Sequence, residues 1–333
     1  MPPAPKPAVL VTAAKLAPEA VAILEAAGYA VPCTSGYPSE AELLAAIAEH
    51  RPVALLHRQG IINGTVMDAA APGLRVIARH GAGVDGIDLP AAEARGLTVT
   101  RAAGANARSV AEHAMALMLA MLKDLPAVAA GMRDGLWEKT SRMTRDVEGI
   151  RLGLVGYGAI GSRVARFADA FGMRIAAYDP LLPPGPLPGP GERVATLSTL
   201  LARSDVLSIH CPLEPATRGM IDAAELATLP PGAILVHTAR GGIVDQAALL
   251  SALDSGHLAW AGIDVFAQEP LDATSPLRSH PRVLPTPHLA ANTPLGAVGM
   301  STGAAESIVA VLDGRLPALP GAVVIPGGLR AAA

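Results

Sequence analysis

The chain has 333 residues, of which 51% are hydrophobic and 17% are charged, and its formal net charge is −3. This length is long for one hydrophobic core and suits two globular domains. The slight negative charge argues against nucleic acid or an anionic membrane as a partner. Cys33 and Cys211 are too few for a disulfide framework or a metal cluster, which suits a reducing cytoplasm. Because the chain start lacks a long apolar core and no run of about 18 uninterrupted apolar residues occurs, we expect neither a signal peptide nor a membrane span.

Residues 1–100 alternate short apolar segments with helical ones. Strands are predicted at 8–12, 29–32, 53–56 and 75–78, and helices at 18–27, 39–49 and 63–70, with Ser39 as the N-cap of the second helix. This alternation predicts a parallel sheet, whose ligands gather at the carboxyl ends of the strands. Two loops follow such ends, one at Arg58 and one at Gly81–Gly83. The residue type alone leaves open whether Arg58 binds an anion or is a solvated surface residue.

The most apolar helix is predicted at 109–125, with Ser109 as its N-cap and Glu112 at the third helical position. Its apolar residues lie on more than one face. We therefore expect it to pack in the core, between domains, or against a second subunit.

The stretch 151–180 reads as strand, glycine turn, helix and second strand. Gly156, Gly158 and Gly161 have the spacing G-x-G-x-x-G: the first makes the tight turn, the second lets a pyrophosphate approach the backbone, and the third lets the helix pack on the strand. The predicted helix, 160–171, ends before Gly172 and would present free N–H groups to a phosphate. This arrangement predicts a dinucleotide site.

Asp179 ends the second strand, roughly 20 residues after the third glycine, where a ribose-binding acid is expected. Its carboxylate would accept hydrogen bonds from the ribose hydroxyls and repel a 2′-phosphate. No Arg or Lys follows at once, so the sequence favours NAD over NADP. The alternative is a structural Asp that caps the following loop.

The segment 181–191 is rich in proline and glycine, which predicts a stiff surface connection, with a Pro-rich recognition ligand as the alternative. Strands are then predicted at 206–209, 234–238, 259–265 and 283–285, and a helix at 295–313.

Polar residues end three of these later strands: Arg240, Glu269 and His288. An Arg suits bidentate capture of a carboxylate, and a His can exchange a proton with a carbonyl or hydroxyl oxygen near neutral pH. A Glu beside that His would orient the ring and stabilise its protonated form. Each residue alone is a weak signal, but together, beside a nicotinamide site, they supply what the reduction of a 2-oxo acid requires.

Over roughly residues 50–315 the chain resembles the D-isomer-specific 2-hydroxyacid dehydrogenase family, which includes phosphoglycerate, hydroxypyruvate and D-lactate dehydrogenases. The resemblance rests on RHGAGVDGIDL (79–89), SVAEHAMALML (109–119), LVGYGAIG and FGMRIAAYDP (within 154–180), TARGGIVD (238–245), GIDVFAQEP (262–270) and TPHLAANT (286–293).

The resemblance implies an α/β fold of two Rossmann-like domains with parallel sheets and the active-site cleft between them. The substrate-binding domain would comprise 1–100 plus 291–333, and the NAD-binding domain 101–290. Arg240 would anchor the substrate carboxylate, Glu269 would partner the histidine, and His288 would be the acid/base. The residues implied for NAD are Gly156, Gly158, Ala159, Ile160, Gly161, Asp179, Cys211, Pro212, Thr238, Asp264 and Ala290, and those implied for substrate are Arg58, Gly81, Ala82, Gly83 and Arg240.

Three positions depart from the family's pattern. Phosphoglycerate-type members usually have Asn where this chain has His237 and Gly86, and a Thr or Asn is common where Ala82 stands. These departures bear on the substrate more than on hydride transfer.

Two functions of different class follow from the resemblance. The first is an NAD-dependent oxidoreductase acting at C2 of a short 2-oxo or D-2-hydroxy acid, such as hydroxypyruvate, glyoxylate or a 3-phosphoglycerate-type acid. The alternative is a non-enzymatic NAD(H)-sensing interaction protein, as in the C-terminal-binding corepressors, on the same fold. We expect a cytoplasmic homodimer that binds a small-molecule substrate and neither nucleic acid nor membrane.

Overall fold

Strands and helices alternate through residues 6–328, the part of the chain that the computed structural model describes. Up to residue 101 the elements are β1 (Val9–Val11), α1 (Pro18–Ala26), α2 (Glu40–His50), β2 (Ala54–His57), α3 (Gly64–Ala69), β3 (Val76–Arg79), α4 (Leu89–Ala94) and β4 (Thr98–Arg101). Residues 1–5 and 329–333 belong to the predicted substrate-binding domain. Residues 1–5 are also part of the chain start that was considered for a signal peptide. Both segments lie outside the described residues.

The middle of the chain contains most of the elements. They are α5 (Ala107–Leu122), α6 (Leu125–Arg133), β5 (Arg151–Val155), α7 (Gly161–Ala170), β6 (Arg174–Tyr178), β7 (Glu192–Arg193), α8 (Leu197–Leu201), β8 (Val206–Ile209), α9 (Ala223–Thr228), β9 (Ala233–His237), the 3-10 turn Gly241–Ile243, α10 (Gln246–Asp254), β10 (Leu258–Ile263), α11 (Pro276–Ser279) and β11 (Val283–Pro285). The last elements are α12 (Pro294–Leu312) and β12 (Val323–Ile325).

The chain divides into two compact units. The first takes in the chain up to Asn106 and again from Thr293 onward, and the second is Ala107–Asn292. Each unit has its own sheet with hydrophobic clusters on both faces.

The first unit is built on a sheet of order β1-β2-β3-β4-β12, in which only the pair β4–β12 is antiparallel. Successive residues of its buried strands point to opposite faces. Val9 and Val11 pack with α1 and α12, whereas Leu10 packs with α2 and α3 on the other face. The predicted N-cap of α2 is present, since the Ser39 side chain accepts from the Glu42 N–H in a capping box.

The strand predicted at 29–32 is reduced to isolated parallel bridges. Ala30 pairs with Ala8, and Cys33 with Val11, along the edge of β1 opposite β2. Pro32 has no N–H to donate to a ladder, which limits the pairing. The chain therefore adds the bridged segment on one side of β1 and β2 on the other. Ligands of such sheets bind at the carboxyl ends of the strands beside this point of reversal, here β1 and β2.

Helix α12 packs in the first unit, with Ile308 and Val311 in the cluster on the β1 face. By length and composition it is the one helix of residues 6–328 that could cross a membrane, or one of two if the bent pair α5–α6 counts as a span. Of its hydrophobic window, 56% is buried inside the protein. The search for uninterrupted apolar runs in the sequence does not identify α12, because Ser301, Glu306 and Ser307 interrupt its apolar residues.

The second unit has a fully parallel sheet of order β11-β10-β9-β8-β5-β6-β7. After β5 the chain adds β6 and β7 on one side and then crosses to place β8 on the other side. The turn after β5 and the segment after β8 therefore flank a topological switch point, where open α/β sheets bind ligands. Strands 206–209 and 283–285 were predicted to the residue.

Helix α5 differs from its prediction at both ends. It begins at Ala107, so that Ser109 is buried within the helix and is not its N-cap. It ends at Leu122, and Leu125 begins α6. A continuous helix would bring Pro126 against the carbonyl of Leu122, and Asp124 adopts a left-handed conformation with φ 49° at the break.

Candidate active site

The glycine turn lies between β5 and α7, beside the segment that follows β8. Gly156 has φ +91°, and a Cβ there would lie 2.9 Å from the Cys211 amide nitrogen. A Cβ on Gly161 would lie 2.1 Å from the Gly156 carbonyl oxygen, so the turn and the helix start can touch only without side chains. No atom lies within 4 Å of a Cβ built on Gly158, which leaves open space over the turn.

The start of α7 supplies hydrogen-bond donors to that space. The helix begins at Gly161, one residue later than predicted. No residue of 6–328 accepts from the N–H groups of Ala159 and Ile160, as expected before the first turn of a helix. Unpaired N–H groups and the positive end of the helix dipole favour an anion such as a phosphate.

Asp179 ends β6 next to this turn. Its carboxylate accepts from the Tyr157 N–H at 2.8 Å and from the Leu181 N–H at 2.9 Å. The structural alternative is therefore part of its role, because the side chain braces both the turn and the loop after it. Each carboxylate oxygen can accept more than one hydrogen bond, so this bracing leaves capacity for ribose hydroxyls.

Thr238 follows β9, and its hydroxyl is buried without a hydrogen-bond partner in residues 6–328. Buried polar atoms are rarely left unpaired in native proteins, so the hydroxyl is suited to form a hydrogen bond with a polar group of a ligand. Cys211 is partly buried and Pro212 exposed. Burial raises the pKa of the Cys211 thiol to about 11, so the thiol is neutral and offers no charge to a cofactor phosphate.

Asp264 follows β10 and is fully buried. Its oxygens accept from the Thr286 hydroxyl at 2.6 Å, the Leu289 N–H at 2.9 Å and the Ala290 N–H at 3.0 Å. His113 on α5 lies 3.1 Å from the same Thr286 hydroxyl. Asp264 therefore holds the loop after β11 and has at most a remaining lone pair for a ligand.

His288 lies in that loop, with φ 50° in the left-handed region that non-glycine residues rarely adopt. Its N–H donates to the backbone carbonyl of Asp264 at 2.8 Å, which stabilises this conformation. Its ring Nδ1 lies 2.6 Å from the Glu269 carboxylate. Because a carboxylate only accepts, Nδ1 carries the proton, and no residue of 6–328 bonds to Nε2.

Glu269 is itself fixed by the Phe266 N–H, which donates to it at 2.9 Å. Burial raises the pKa of Glu269, but the hydrogen bonds from His288 and Phe266 and the nearby charge of Arg240 outweigh burial and lower it. The carboxylate is therefore ionised throughout the neutral range, as a partner for a protonated ring must be.

Arg240 comes immediately before the 3-10 turn after β9, and its side chain is partly exposed. A Cβ on the following Gly241 would lie 1.9 Å from the Phe266 carbonyl carbon. Only glycine permits this contact, which brings the loops carrying Arg240 and Glu269 together. Arg240, Glu269 and His288 are thus gathered at one end of the second unit's sheet.

In the first unit, the backbone of Arg58 is held from both sides. Its N–H donates to the buried Thr12 hydroxyl at 3.0 Å, and its carbonyl accepts from Arg79 Nη1 at 2.7 Å. Arg79 Nε also donates to the Gly83 carbonyl at 2.9 Å, so one guanidinium joins the Arg58 and Gly81–Gly83 loops. The Arg58 guanidinium has no hydrogen-bond or ion-pair partner in residues 6–328.

The Gly81–Gly83 loop is supported from beneath by the neighbouring helix of the same unit. Gly81 has φ +120°, and a Cβ there would be 3.6 Å from the Met300 sulfur on α12. His80 Nε2 lies 3.0 Å from the Ser301 hydroxyl. Burial, together with the nearby charges of Arg58 and Arg79, lowers the pKa of His80 to about 4, so this ring is neutral.

Comparison with known proteins identifies a family whose model covers the glycine turn and the residues around it. Residues 115–290 match the family model described as "D-isomer specific 2-hydroxyacid dehydrogenase, NAD binding domain". The chain belongs to this family. The resemblance drawn from the motifs and the predicted α/β class with parallel sheets are both confirmed.

Named relatives of this dehydrogenase family extend the match over the rest of the chain. A D-3-phosphoglycerate dehydrogenase of Mycobacterium bovis is 42% identical over 96% of this chain, which spans 60% of that protein's length. A hydroxypyruvate reductase of Thermotoga maritima is 42% identical over 67% of this chain and 73% of its own length. The crystal structure of an NADPH-dependent glyoxylate/hydroxypyruvate reductase from Sinorhizobium meliloti, in complex with citrate, superposes with a TM-score of 0.82 at 29% identity, covering 98% of this chain and all of that one.

The residues at the turn fit the nicotinamide dinucleotide that the family binds. The open space over Gly158, the free N–H groups of Ala159 and Ile160 and the orphaned Thr238 hydroxyl are the observations that carry this fit.

Two departures from the family's pattern have structural explanations. His237 is buried, and its Nε2 lies 2.8 Å from the Arg240 carbonyl oxygen, to which it must donate. Burial lowers the pKa of His237 to about 4, so the neutral ring does not compete with Arg240 for an anion. Gly86 lies against the ring of His57, which leaves no room for a side chain. Nothing in the structure explains Ala82.

Sequence reasoning overlooked the residues that hold the first unit's loops, namely Thr12, His57 and Arg79. A signal existed for two of them. Thr12 follows the apolar run of β1, and His57 ends the apolar run of β2, so each is a polar residue at the carboxyl end of a buried strand. Such residues are buried and must find partners nearby.

Proposed function

We propose that the protein is an NAD-dependent oxidoreductase that interconverts a short 2-oxo acid and the corresponding D-2-hydroxy acid. The observation that carries this proposal is the His288–Glu269 pair, with Nδ1 bonded to the carboxylate and Nε2 left for a substrate oxygen. It lies in the same unit as the glycine turn and Arg240. Bound NADH would supply the hydride to C2.

His288 provides the proton in the reduction direction. Negative charge grows on the C2 oxygen as hydride arrives, and a protonated ring would neutralise it by giving up its Nε2 proton. The ionised carboxylate of Glu269, which faces Nδ1 of His288, stabilises the positive ring before that transfer and keeps it oriented. In the oxidation direction the same nitrogen accepts the hydroxyl proton.

Arg240 would bind the substrate carboxylate through two parallel hydrogen bonds. This fixes C2 relative to the histidine and the nicotinamide, which is where such enzymes gain rate through orientation. His237 supports this role, because it fixes the backbone of Arg240 and stays neutral beside it.

The substrate class follows from the named relatives and from the first unit. The relatives are a D-3-phosphoglycerate dehydrogenase and a hydroxypyruvate reductase, so we propose hydroxypyruvate, glyoxylate or a 3-phosphoglycerate-type acid. We propose the first unit for substrate binding and the second for NAD. Arg58, with its fixed backbone and unpaired guanidinium, is suited to an anionic substrate group, aided by the Gly81–Gly83 loop.

The test is NADH consumption by the purified protein over a panel of glyoxylate, hydroxypyruvate, pyruvate and 3-phosphohydroxypyruvate, with chiral analysis of the product. We expect turnover of at least one acid and a D-configured product. NADH binding without turnover of any 2-oxo acid would instead favour the NAD-sensing alternative, for which the named relatives offer no support.

We also propose a cytoplasmic homodimer. Large apolar side chains are exposed on α6 and the loop after it, among them Met132, Leu136 and Trp137, the last 76% exposed. Exposed apolar clusters of this kind mark interaction surfaces, and aromatic residues are enriched at their centres. Sedimentation should give a dimer for the unmodified protein and a monomer for Trp137→Glu. Leu181→Glu, an equally exposed residue in the proline-rich loop, should leave the dimer intact.

A further inference from the structure

The carboxyl end of β2 carries a buried histidine that the proposed chemistry does not use. His57 is 1% exposed. Its Nε2 lies 3.0 Å from the Gly60 carbonyl oxygen, and its Nδ1 lies 3.3 Å from Arg79 Nη1. The ring therefore touches both the loop after β2 and the arginine that ends β3.

These two contacts determine the tautomer of the ring. A carbonyl oxygen can only accept, so Nε2 carries a proton, and a guanidinium can only donate, so Nδ1 is an acceptor. The ring is therefore neutral. Burial first, and then the charge of Arg79, lower the pKa of His57 to about 3, which agrees with this geometry.

Through Arg79, the position of His57 is transmitted to Arg58. The same Nη1 that faces His57 donates to the Arg58 carbonyl, and Nε donates to Gly83. Loss of the histidine would remove one acceptor of Arg79, and we expect the guanidinium to shift together with the Arg58 backbone to which it donates.

Gly86 lies against the Cε1 edge of the ring, between the two nitrogens. A Cβ at Gly86 would be 2.8 Å from His57 Cε1 and 3.1 Å from the Gly60 carbonyl oxygen. The φ of Gly86 is outside the left-handed region, so its backbone would accept a side chain. Position 86 therefore requires glycine only because of the lack of space. The His57 ring occupies that space and is held there by hydrogen bonds at both nitrogens.

We propose that His57 and Gly86 form a positioning pair for the substrate. The His57 ring fills the space that a side chain at position 86 would need, and through Gly60 and Arg79 it sets the position of Arg58 for the anionic end of the acid. The inference rests on the proposed function, since it assigns the anion to a short 2-oxo acid. The residue that position 86 can accept then depends on the histidine at position 57.

Single-atom additions test the pair. Gly86→Ala adds only the Cβ, and Gly36→Ala is the matched control, because it lies in the same unit with no atom within 4 Å of a Cβ. We expect Gly86→Ala to raise KM for the best 2-oxo acid by about 10- to 100-fold, the scale of a misplacement near 1 Å. Gly36→Ala should leave KM unchanged, and both should bind NADH as the unmodified protein does.

The histidine is tested by a conservative and a non-conservative replacement. The amide of His57→Gln can donate to Gly60 and accept from Arg79, so it should retain most of the affinity for the acid. His57→Leu keeps the bulk without the hydrogen bonds and should raise KM as Gly86→Ala does. In a His57→Ala background, Gly86→Ala should add little, because the space is then open.

A spectroscopic measurement keeps this inference separate from the proposed function. Nitrogen-15 NMR should show His57 as the neutral Nε2–H tautomer between about pH 5 and 8, within the range where an unperturbed histidine titrates. If the protein turns over no 2-oxo acid, the proposed function fails. The tautomer and the coupling of the two positions in melting temperature can then still be measured. Additive effects at the two positions, or a Gly86→Ala variant that matches Gly36→Ala, would overturn the pair.

Discussion

The dinucleotide turn in the second unit and the Arg58 loop in the first unit both follow the carboxyl ends of parallel strands, but they are held differently. The turn is held by backbone contact: Gly156 and Gly161 each bring main-chain atoms to distances that a Cβ forbids. The Arg58 loop is held by side chains, through Thr12, His57 and Arg79. Backbone contact requires one residue type at fixed spacing, whereas side-chain support allows many solutions.

The difference indicates which of the two regions can change. A turn made of close backbone contacts admits no side chain at Gly156 or Gly161 and suits a ligand that stays the same, such as a dinucleotide. A loop supported by exchangeable side chains can be rebuilt around different acids. Of the three departures from the family's pattern, Gly86 and Ala82 lie in the first unit and His237 lies in the second. The following variants test that division, from the largest expected effect to the smallest.

His288→Ala should have the largest effect, because it removes the proposed proton donor. We expect kcat for reduction to fall about 10²- to 10⁴-fold with NADH affinity retained. His280→Ala is the matched control, since His280 forms a second histidine–carboxylate pair in the same unit with Asp254 at 3.3 Å. Near-normal turnover by His288→Ala would remove this residue from the mechanism.

Asp179→Ala tests cofactor choice. The unmodified protein should use NADH with much higher kcat/KM than NADPH, and the variant should narrow that preference. The loss of one charge-assisted hydrogen bond is worth roughly 1.5–3 kcal/mol, or about 10- to 100-fold. Steady-state rates with both cofactors measure this, and equal use of the two by the unmodified protein would contradict the assignment.

Gly158→Ala and Gly161→Ala separate ligand approach from backbone contact within the turn. The first adds a methyl group to open space, so the melting temperature should hold while the Kd for NADH rises about 10-fold, equivalent to ~1.4 kcal/mol. The second places a methyl group against the Gly156 carbonyl and should cost stability by about 1–3 kcal/mol. The same response from both variants would show that the two glycines do not have separate roles.

Glu269→Gln should have the smallest effect. The side chain is 35% exposed, so solvent screens its charge, and we expect kcat/KM at neutral pH to fall by less than about 10-fold. The lowered pKa of Glu269 keeps the carboxylate ionised as pH falls through the ordinary range of Glu, and the pair with His288 is lost only below that lowered pKa. Without the carboxylate, the change in kcat/KM that follows protonation of Glu269 on the acid side should disappear from the pH profile. Asp254→Asn, in the other pair, should leave the profile where it is.

The same division explains what could be predicted from the sequence. The glycine turn, Asp179 and the strand-end position of Arg240 are local features of the chain, so residue type and spacing are enough to reveal them. The support of Arg58 joins Thr12, His57 and Arg79, which are far apart in the chain and become neighbours only when β1, β2 and β3 pair. No local pattern encodes that contact.

Errors in the predicted elements have the same origin. The local pattern at Ser109 predicts a helix start there, but α5 begins two residues earlier, at Ala107, and ends at Leu122, before Pro126. The predicted strand at 29–32 lies beside β1 but is reduced to bridges, because Pro32 has no N–H to donate to β1. The antiparallel strand β12 was not predicted, since its partner β4 lies more than two hundred residues earlier in the chain.

The path of the chain through the two units has a consequence for biosynthesis. The first unit is interrupted by the whole of the second and is completed only by α12 and β12. At about 5–20 residues per second, a ribosome delivers these elements on the order of ten seconds or more after β4. During that time the β1 face of the first sheet lacks its longest covering helix, whereas the second unit is synthesised as one uninterrupted segment. The nascent first unit is therefore the part of this protein that would engage chaperones.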